Sequence, residues 1–288
     1  VAVSIVSRDL KFELTDSIPV HWSPEQPEFS HVANAFMAAL PYVEPYFIHN
    51  IRIAAESLTD STLKSEAEGF IHQEARHAQQ HRAWNQVLAR RYPGFGALED
   101  ALKQRLQSSK QRDSLAFRLA YTSGYEAITY QIVCFIMGNR HVWLKGADPR
   151  IVAMLTWHAA EEVEHKCVAF DVYQAVHGSY FLRVRGLSAA LVRSVRDIRA
   201  MTQLMLRADG QWQDPECQRR LRRVRWELAK GLLPPLWRYL MPGYRPRAHV
   251  DPPLIAAWLE SYRRGRDLRA IGLEGLDALG AEREGRER

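Results

Sequence analysis

WHAAEEVEHK, residues 157–166, sets two histidines and three glutamates between the apolar runs IVAML (151–155) and CVAFDVY (167–173). On an α-helix, His158, Glu162 and His165 fall within about 60° of one another, so one narrow stripe carries all three; Glu161 flanks it and Glu164 points away. Such a stripe facing a protein core is costly unless its groups pair with one another or hold a metal ion. The alternative is a solvated helix face. A second stripe of the same kind elsewhere in the chain decides between them.

FIHQEARHAQQH, residues 70–81, supplies it: Glu74, His77 and His81 also lie within about 60° on a helix. Two Glu-x-x-His pairs are half of the carboxylate-bridged two-metal site of a ferritin-like four-helix bundle, and the other two helices must each bring one inward glutamate. Glu44 in LPYVEPYFI (40–48) and Glu126 in TSGYEAITYQIV (122–133) stand among apolar and aromatic neighbours in the two remaining helices. The expected metal ligands are therefore Glu44, Glu74, His77, Glu126, His158, Glu162 and His165, with His81 and Glu161 beside them in a supporting layer. Glu44, next to Pro45, also suits a helix-start carboxylate, and His81 also suits a satisfied polar core position.

Period-3.6 patterning dominates the rest of the chain, which predicts an all-α fold. A first helical region spans about 30–58, broken near Pro41, and a second runs from Asp60 or Ser61 to about Arg91, stopped by YPGFG. A third covers about 112–139, and a fourth starts at Asp148-Pro149, an N-cap followed by proline, and ends near His177-Gly178. Further helices are expected at about 179–208, 215–230 and 252–265, with the Pro- and aromatic-rich stretch between the last two as an ordered loop. VAVSIV and KFELT are the only strand-like fragments. The expected organisation is an N-terminal extension (1–27), a metal-binding bundle (28–178), a C-terminal helical extension packed on it (179–279) and a disordered tail (280–288).

Composition narrows the class. With 47% hydrophobic and 25% charged residues the chain suits a globular fold, and no apolar run approaches a membrane span. Its three cysteines, with no CxxC, argue against a disulfide framework, and the first residues lack a secretory pattern, so a cytoplasmic location is expected. Residues 181–288 carry 22 Lys and Arg against 13 Asp and Glu, a balance of +9, whereas residues 1–180 stand at −3 within the total of +6. Arginine-decorated solvated helices account for this skew, and no nucleic acid partner is expected; a basic surface also suits an acidic protein partner. No Gly-rich phosphate loop, serine elbow or zinc-finger spacing occurs.

The pattern Glu44, Glu74-Ala75-Arg76-His77, Glu126 and His158-x-x-x-Glu162-x-x-His165 resembles the di-iron ligand set of arylamine N-oxygenases, in which a third histidine precedes the last Glu-x-x-His by one turn. The whole chain, with LPYVEPYF, WHAAEEVEHK-x-VAFDVY and RYLMPGYRP (238–246), resembles the bacterial family named predicted metal-dependent hydrolase. Four carboxylates and three imidazoles without sulfur suit iron or manganese, with zinc admissible. The first resemblance implies a di-iron oxygenase that uses O2 to oxidise a small substrate, an aromatic amine among the candidates. Tyr130 is the expected pocket phenol, and Tyr121, Tyr125, Phe47, Phe135 and Trp157 are numerous enough to line a cavity. A ferredoxin or flavin reductase docking on the basic C-terminal region is the expected electron donor, and a homodimer is the expected assembly. The competing readings are a hydrolase working through a metal-bridged water and an iron-oxidising ferritin-like protein, the latter disfavoured by the residues beyond the bundle.

Overall fold

Polar caps divide the chain into helices. The structure, a computed structural model, describes residues 5–286, and among these are twelve α-helices, one 3-10 turn and no strand. The first two are α1 (Pro27–Met37) and α2 (Leu40–Ala55); the chain restarts at Pro41, as expected, and passes through Pro45 within α2. The carboxylate of Asp60 caps α3 (Ser61–Arg91) by accepting from the backbone of Thr62 and Leu63. Ser114 caps α5 (Leu115–Gly138), and Asp148, followed by Pro149, caps α7 (Pro149–His165). Between them lie α4 (Phe95–Arg112) and the single-turn α6 (Arg140–Trp143). The expected fourth helix is interrupted at Lys166-Cys167 and resumes as α8 (Val168–Val176).

The helices that carry the candidate ligands pack on one another: α2 on α3 and α5, and α7 with α8 on α3 and α5. Ser179 caps α9 (Tyr180–Ala208), which lies along α5. The two backbones approach closely because Gly124 and Gly186 face one another's helix: a Cβ at Gly186 would stand 2.4 Å from the backbone of Ala120. Asp214 caps α10 (Pro215–Tyr239), which returns across α5 and α1, and α11 (Pro253–Arg263) covers α7 with α12 (Leu273–Arg286) beside it. No helix among the described residues is long and apolar enough to cross a membrane, and all three cysteines are free.

Three expectations are corrected, and one helix was not foreseen. KFELT and the described part of VAVSIV form no sheet; the segment is irregular, with a turn in which Leu14 N–H donates to Phe12 O, and Phe12 and Leu14 are buried on either side of exposed Glu13, so the alternation reflects packing on helices and not strand pairing. Helix α4 went unread because its buried positions, Phe95, Leu102, Leu106 and Ser109, are few. The proline-rich stretch is helical to Tyr239, since Pro234 and Pro235 carry a helical φ and give up only two backbone donors. The tail expected to be disordered is, to Arg286, the end of α12; residues 287–288, like 1–4, lie outside the described residues.

Candidate metal centre

Each ligand-bearing helix places its acids within its own buried stripe. On α2 the stripe runs Leu40, Glu44, Phe47, Ile51, Ala54, and on α3 it runs Phe70, Glu74, His77, His81, Trp84. Helix α7 is buried on nearly all sides from Ile151 to His165, which is why it can send side chains in two directions.

All seven expected ligands are buried and converge. Ligand atoms of Glu74, His77, Glu162 and His165 lie within 4.8 Å of one another, as do those of Glu44, His81 and His158. His165 Nε2 stands 3.2 Å from Glu74 Oε1 and 3.8 Å from Glu162 Oε1, and its Nδ1 stands 3.1 Å from Glu126 Oε2. His77 Nδ1 is 3.6 Å from Glu74 Oε1. Phe70 meets His165 edge-on at 4.9 Å and Trp157 meets His77 edge-on at 4.8 Å, so apolar rings hold both imidazoles in place.

Short as these approaches are, few have hydrogen-bond geometry. Both oxygens of Glu44 and of Glu74, Oε2 of Glu126 and Glu162, Nδ1 of His77 and both ring nitrogens of His165 are buried without a hydrogen-bond partner. Buried polar atoms are rarely left so, and their concentration in one cluster is the mark of a missing partner. A cation is the partner that suits it. Burial and the charge of Glu74 hold the Glu44 carboxyl well above the ordinary range, and burial with the Glu126 and Glu74 charges does the same to Glu162. Glu126 is raised to about 7, by burial and Glu74 against the opposing pull of His165. Without a cation the acids therefore hold protons; a metal ion replaces them. The oxygen and nitrogen donors fit a hard or borderline metal.

A supporting layer surrounds these groups. His77 Nε2 donates to Glu161 Oε2 at 3.1 Å, which leaves Nδ1 facing Glu74. Burial alone would lower the His77 pKa, but hydrogen bonds and charge from Glu161 and Glu74 outweigh it and raise it to about 10. Glu161 and Glu164 are in turn held by Arg8, whose guanidinium meets Glu164 through two bonds of 2.8 and 2.6 Å and Glu161 at 3.3 Å. The Arg8 backbone N–H also donates to Glu161, Gln73 Nε2 donates to Glu164, and Arg8 lies 5.9 Å from the Trp258 ring and 5.3 Å from that of Tyr262, both on α11. Sequence reading found Glu161 but not Arg8: the only signal was a pair of acids on a buried helix in need of a counter-charge.

His158 sits between two partners, its Nδ1 2.8 Å from His81 Nε2 and its Nε2 2.8 Å from Glu162 Oε1. With Glu162 ionised, protons run from His81 Nε2 to His158 Nδ1 and from His158 Nε2 to Glu162. Burial and the His77 charge lower the His81 pKa to about 3, and burial followed by the neighbouring histidines puts His158 well below its usual range, so both rings are neutral. His158 also lines a cavity of about 490 Å³ between α1, α5, α9 and α10. Tyr130 does not line it: its hydroxyl donates to Asp251 Oδ1 at 2.7 Å, and the α5 face that meets the cavity carries Thr129, Ile132, Val133 and Ile136. Tyr121, Tyr125 and Phe47 pack on one another, and Phe135 and Trp157 are likewise outside the cavity lining. His21, His31 and Asp209 form a separate cluster in which Asp209 accepts from His21, Tyr92 and Arg91 and ties the end of α9 to α3.

Fold and site together define an all-helical protein with a buried Glu/His metal site. The chain belongs to the family described as predicted metal-dependent hydrolase, which matches residues 6–250, from just before Arg8 to just before α11. No curated protein and no solved structure matches it.

Proposed function

We propose that this chain is a ferritin-like four-helix enzyme that holds two iron ions between Glu44, Glu74, His77, Glu126, Glu162 and His165, with His158 adjoining, and oxidises a small apolar substrate with O2. The observation that carries the reading is the set of buried, partnerless oxygen and nitrogen atoms on these residues, one wall away from an apolar cavity. Bound iron would supply the electrons that activate O2.

The chain's own residues do the rest. Arg8 fixes Glu161, and Glu161 fixes the tautomer and orientation of His77. The cavity wall excludes water from the substrate side of the centre. The His81–His158–Glu162 hydrogen bonds can carry a proton between the cavity wall and Glu162 Oε1. Reducing equivalents would come from an acidic ferredoxin or flavin reductase on the basic C-terminal helices. The family description favours a second reading, hydrolysis, in which the same ligands lower the pKa of a water.

Metal analysis with paired activity assays separates the two. The expected result is about two irons per chain, lost in Glu126→Ala and His165→Ala, with O2 consumed once the protein is reduced. Zinc in place of iron, with ester hydrolysis undiminished under anaerobic conditions, would overturn the oxidase reading in favour of the hydrolase.

A further inference from the structure

The cavity of about 490 Å³ is lined almost wholly by hydrocarbon, among it Phe36, Met37, Ile132, Val133, Leu228 and Leu232. Its few polar groups are placed unevenly. His158 enters with Leu155 from α7, on the side of the metal ligands, whereas Ser194, Arg199 and Arg225 belong to the opposite wall made by α9 and α10. That wall reaches solvent at Val195 and Leu233, which are 56% and 53% exposed. Arg225 Nη2 is buried without a hydrogen-bond partner, and the charge beside Arg225 is a like one, Arg199. A guanidinium nitrogen kept dry against apolar walls, next to a second cation and with no acid to meet it, is a place prepared for an anion.

We propose that this cavity binds a linear amphiphile, an unbranched hydrocarbon chain ending in a carboxylate, with the carboxylate on Arg225 and Arg199 and the chain along the apolar walls. The size suits one such molecule, since ligand cavities run from about 300 to about 1,000 Å³. A guanidinium matches a carboxylate in a two-bond fork. With the head on the outer wall, hydrocarbon is what faces His158. Taking the ligand as the substrate rests on the oxidase reading; its binding does not.

Calorimetric titration of the full chain, both chelator-stripped and metal-loaded, with octanoate, decanoate and dodecanoate tests the assignment. One ligand per chain is expected, with affinity rising about fourfold per added methylene until the cavity is full. The matching alkanol and alkyltrimethylammonium should bind about tenfold or more weakly. Arg225→Met should bring carboxylate affinity down toward that of the alkanol, with Arg199 keeping part of the preference, and leave the alkanol unchanged; Leu232→Trp, which fills the cavity, should abolish both. Equal binding of the cationic amphiphile, or an unchanged carboxylate preference in Arg225→Met, would overturn the assignment. So would a dimer lost on Leu233→Asp in a chain that binds no alkanoate, which would make the cavity a contact between copies. Iron content measured on the same samples keeps the two readings apart: iron without alkanoate binding sinks this inference alone, and binding without iron sinks the oxidase alone.

Discussion

Helix α7 carries two buried acid clusters, and only one of them is finished by the chain. On the back of the helix, Glu161 and Glu164 meet the Arg8 guanidinium, Gln73 and backbone N–H, and every carboxylate oxygen there has a donor. On the front, Glu162 joins Glu44, Glu74 and Glu126, and six carboxylate oxygens have none. Both clusters have similar burial and the same residue type. The difference lies in the cation: the chain supplies a guanidinium to the back and none to the front. Charge is thus a clearer guide to the site than burial or acid content alone.

The sharpest way to break the comparison is to take the back cluster's cation away. Arg8→Met leaves Glu161 and Glu164 buried without their partner, and removal of one member of a buried pair costs about 3–5 kcal/mol. Glu126→Gln in metal-free protein replaces a carboxyl group whose Oε2 has no hydrogen-bond partner by a neutral amide of the same shape, so it should be neutral or stabilising. Denaturant unfolding of the two chelator-stripped variants measures this. A smaller loss for Arg8→Met than for Glu126→Gln would mean that the clusters are not built as described.

A pH series sharpens it further. Glu126 is raised to about 7, so the folded metal-free protein holds a proton that the unfolded chain has released above the ordinary carboxylate range. Stability from this group is complete at low pH and is lost as pH rises through about 7. His77, raised to about 10, acts in the same direction, with its contribution whole below the ordinary histidine range and lost toward about 10. His81 and His158, held neutral in the fold, act the other way up to the ordinary histidine range, so metal-free protein should become less stable from about pH 7 to about pH 8, by up to about 1.4 kcal/mol per pH unit for each extra proton held. Bound metal displaces those protons, so the gain in Tm on adding iron should widen over the same interval. Melting curves with and without metal check both; a metal-free Tm that climbs with pH above about 7 would contradict the assignment of protons to the front cluster.

What could be read from the sequence follows from the same physics. That Glu44, Glu74, His77, Glu126, His158, Glu162 and His165 would come together was legible because helical periodicity fixes which residues share a stripe, and the rule of one glutamate or Glu-x-x-His per helix needs no tertiary knowledge. Arg8 was not legible: it lies in a segment without periodicity, and its position is decided by where α7 and α11 leave room. Tyr130 misled for a related reason. One helical turn beyond Glu126 predicts a shared face, yet Asp251 and Lys166 draw its ring toward the loop before α11. The helix through Pro234 and Pro235 shows the limit of proline as a stop signal, since two prolines in a row lose only two backbone donors between them.

Glu161 joins the two clusters, and its substitution gives the smallest and most specific effect. It accepts from Arg8 on one side and from His77 Nε2 on the other. Glu161→Gln keeps the shape and one acceptor oxygen but removes the charge that fixes His77 with Nδ1 free toward Glu74. Loss of such an outer carboxylate typically weakens metal binding by about 10–100-fold, or about 1.4–2.8 kcal/mol. Arg8 keeps its two-bond pair with Glu164, so the fold should lose far less stability than in Arg8→Met. The expected signature is therefore a split: iron affinity falls in competition with a chelator, while unfolding of the metal-free protein moves less than in Arg8→Met. Equal losses in both would make Glu161 a plain member of the back cluster, with no hold on the metal ligands.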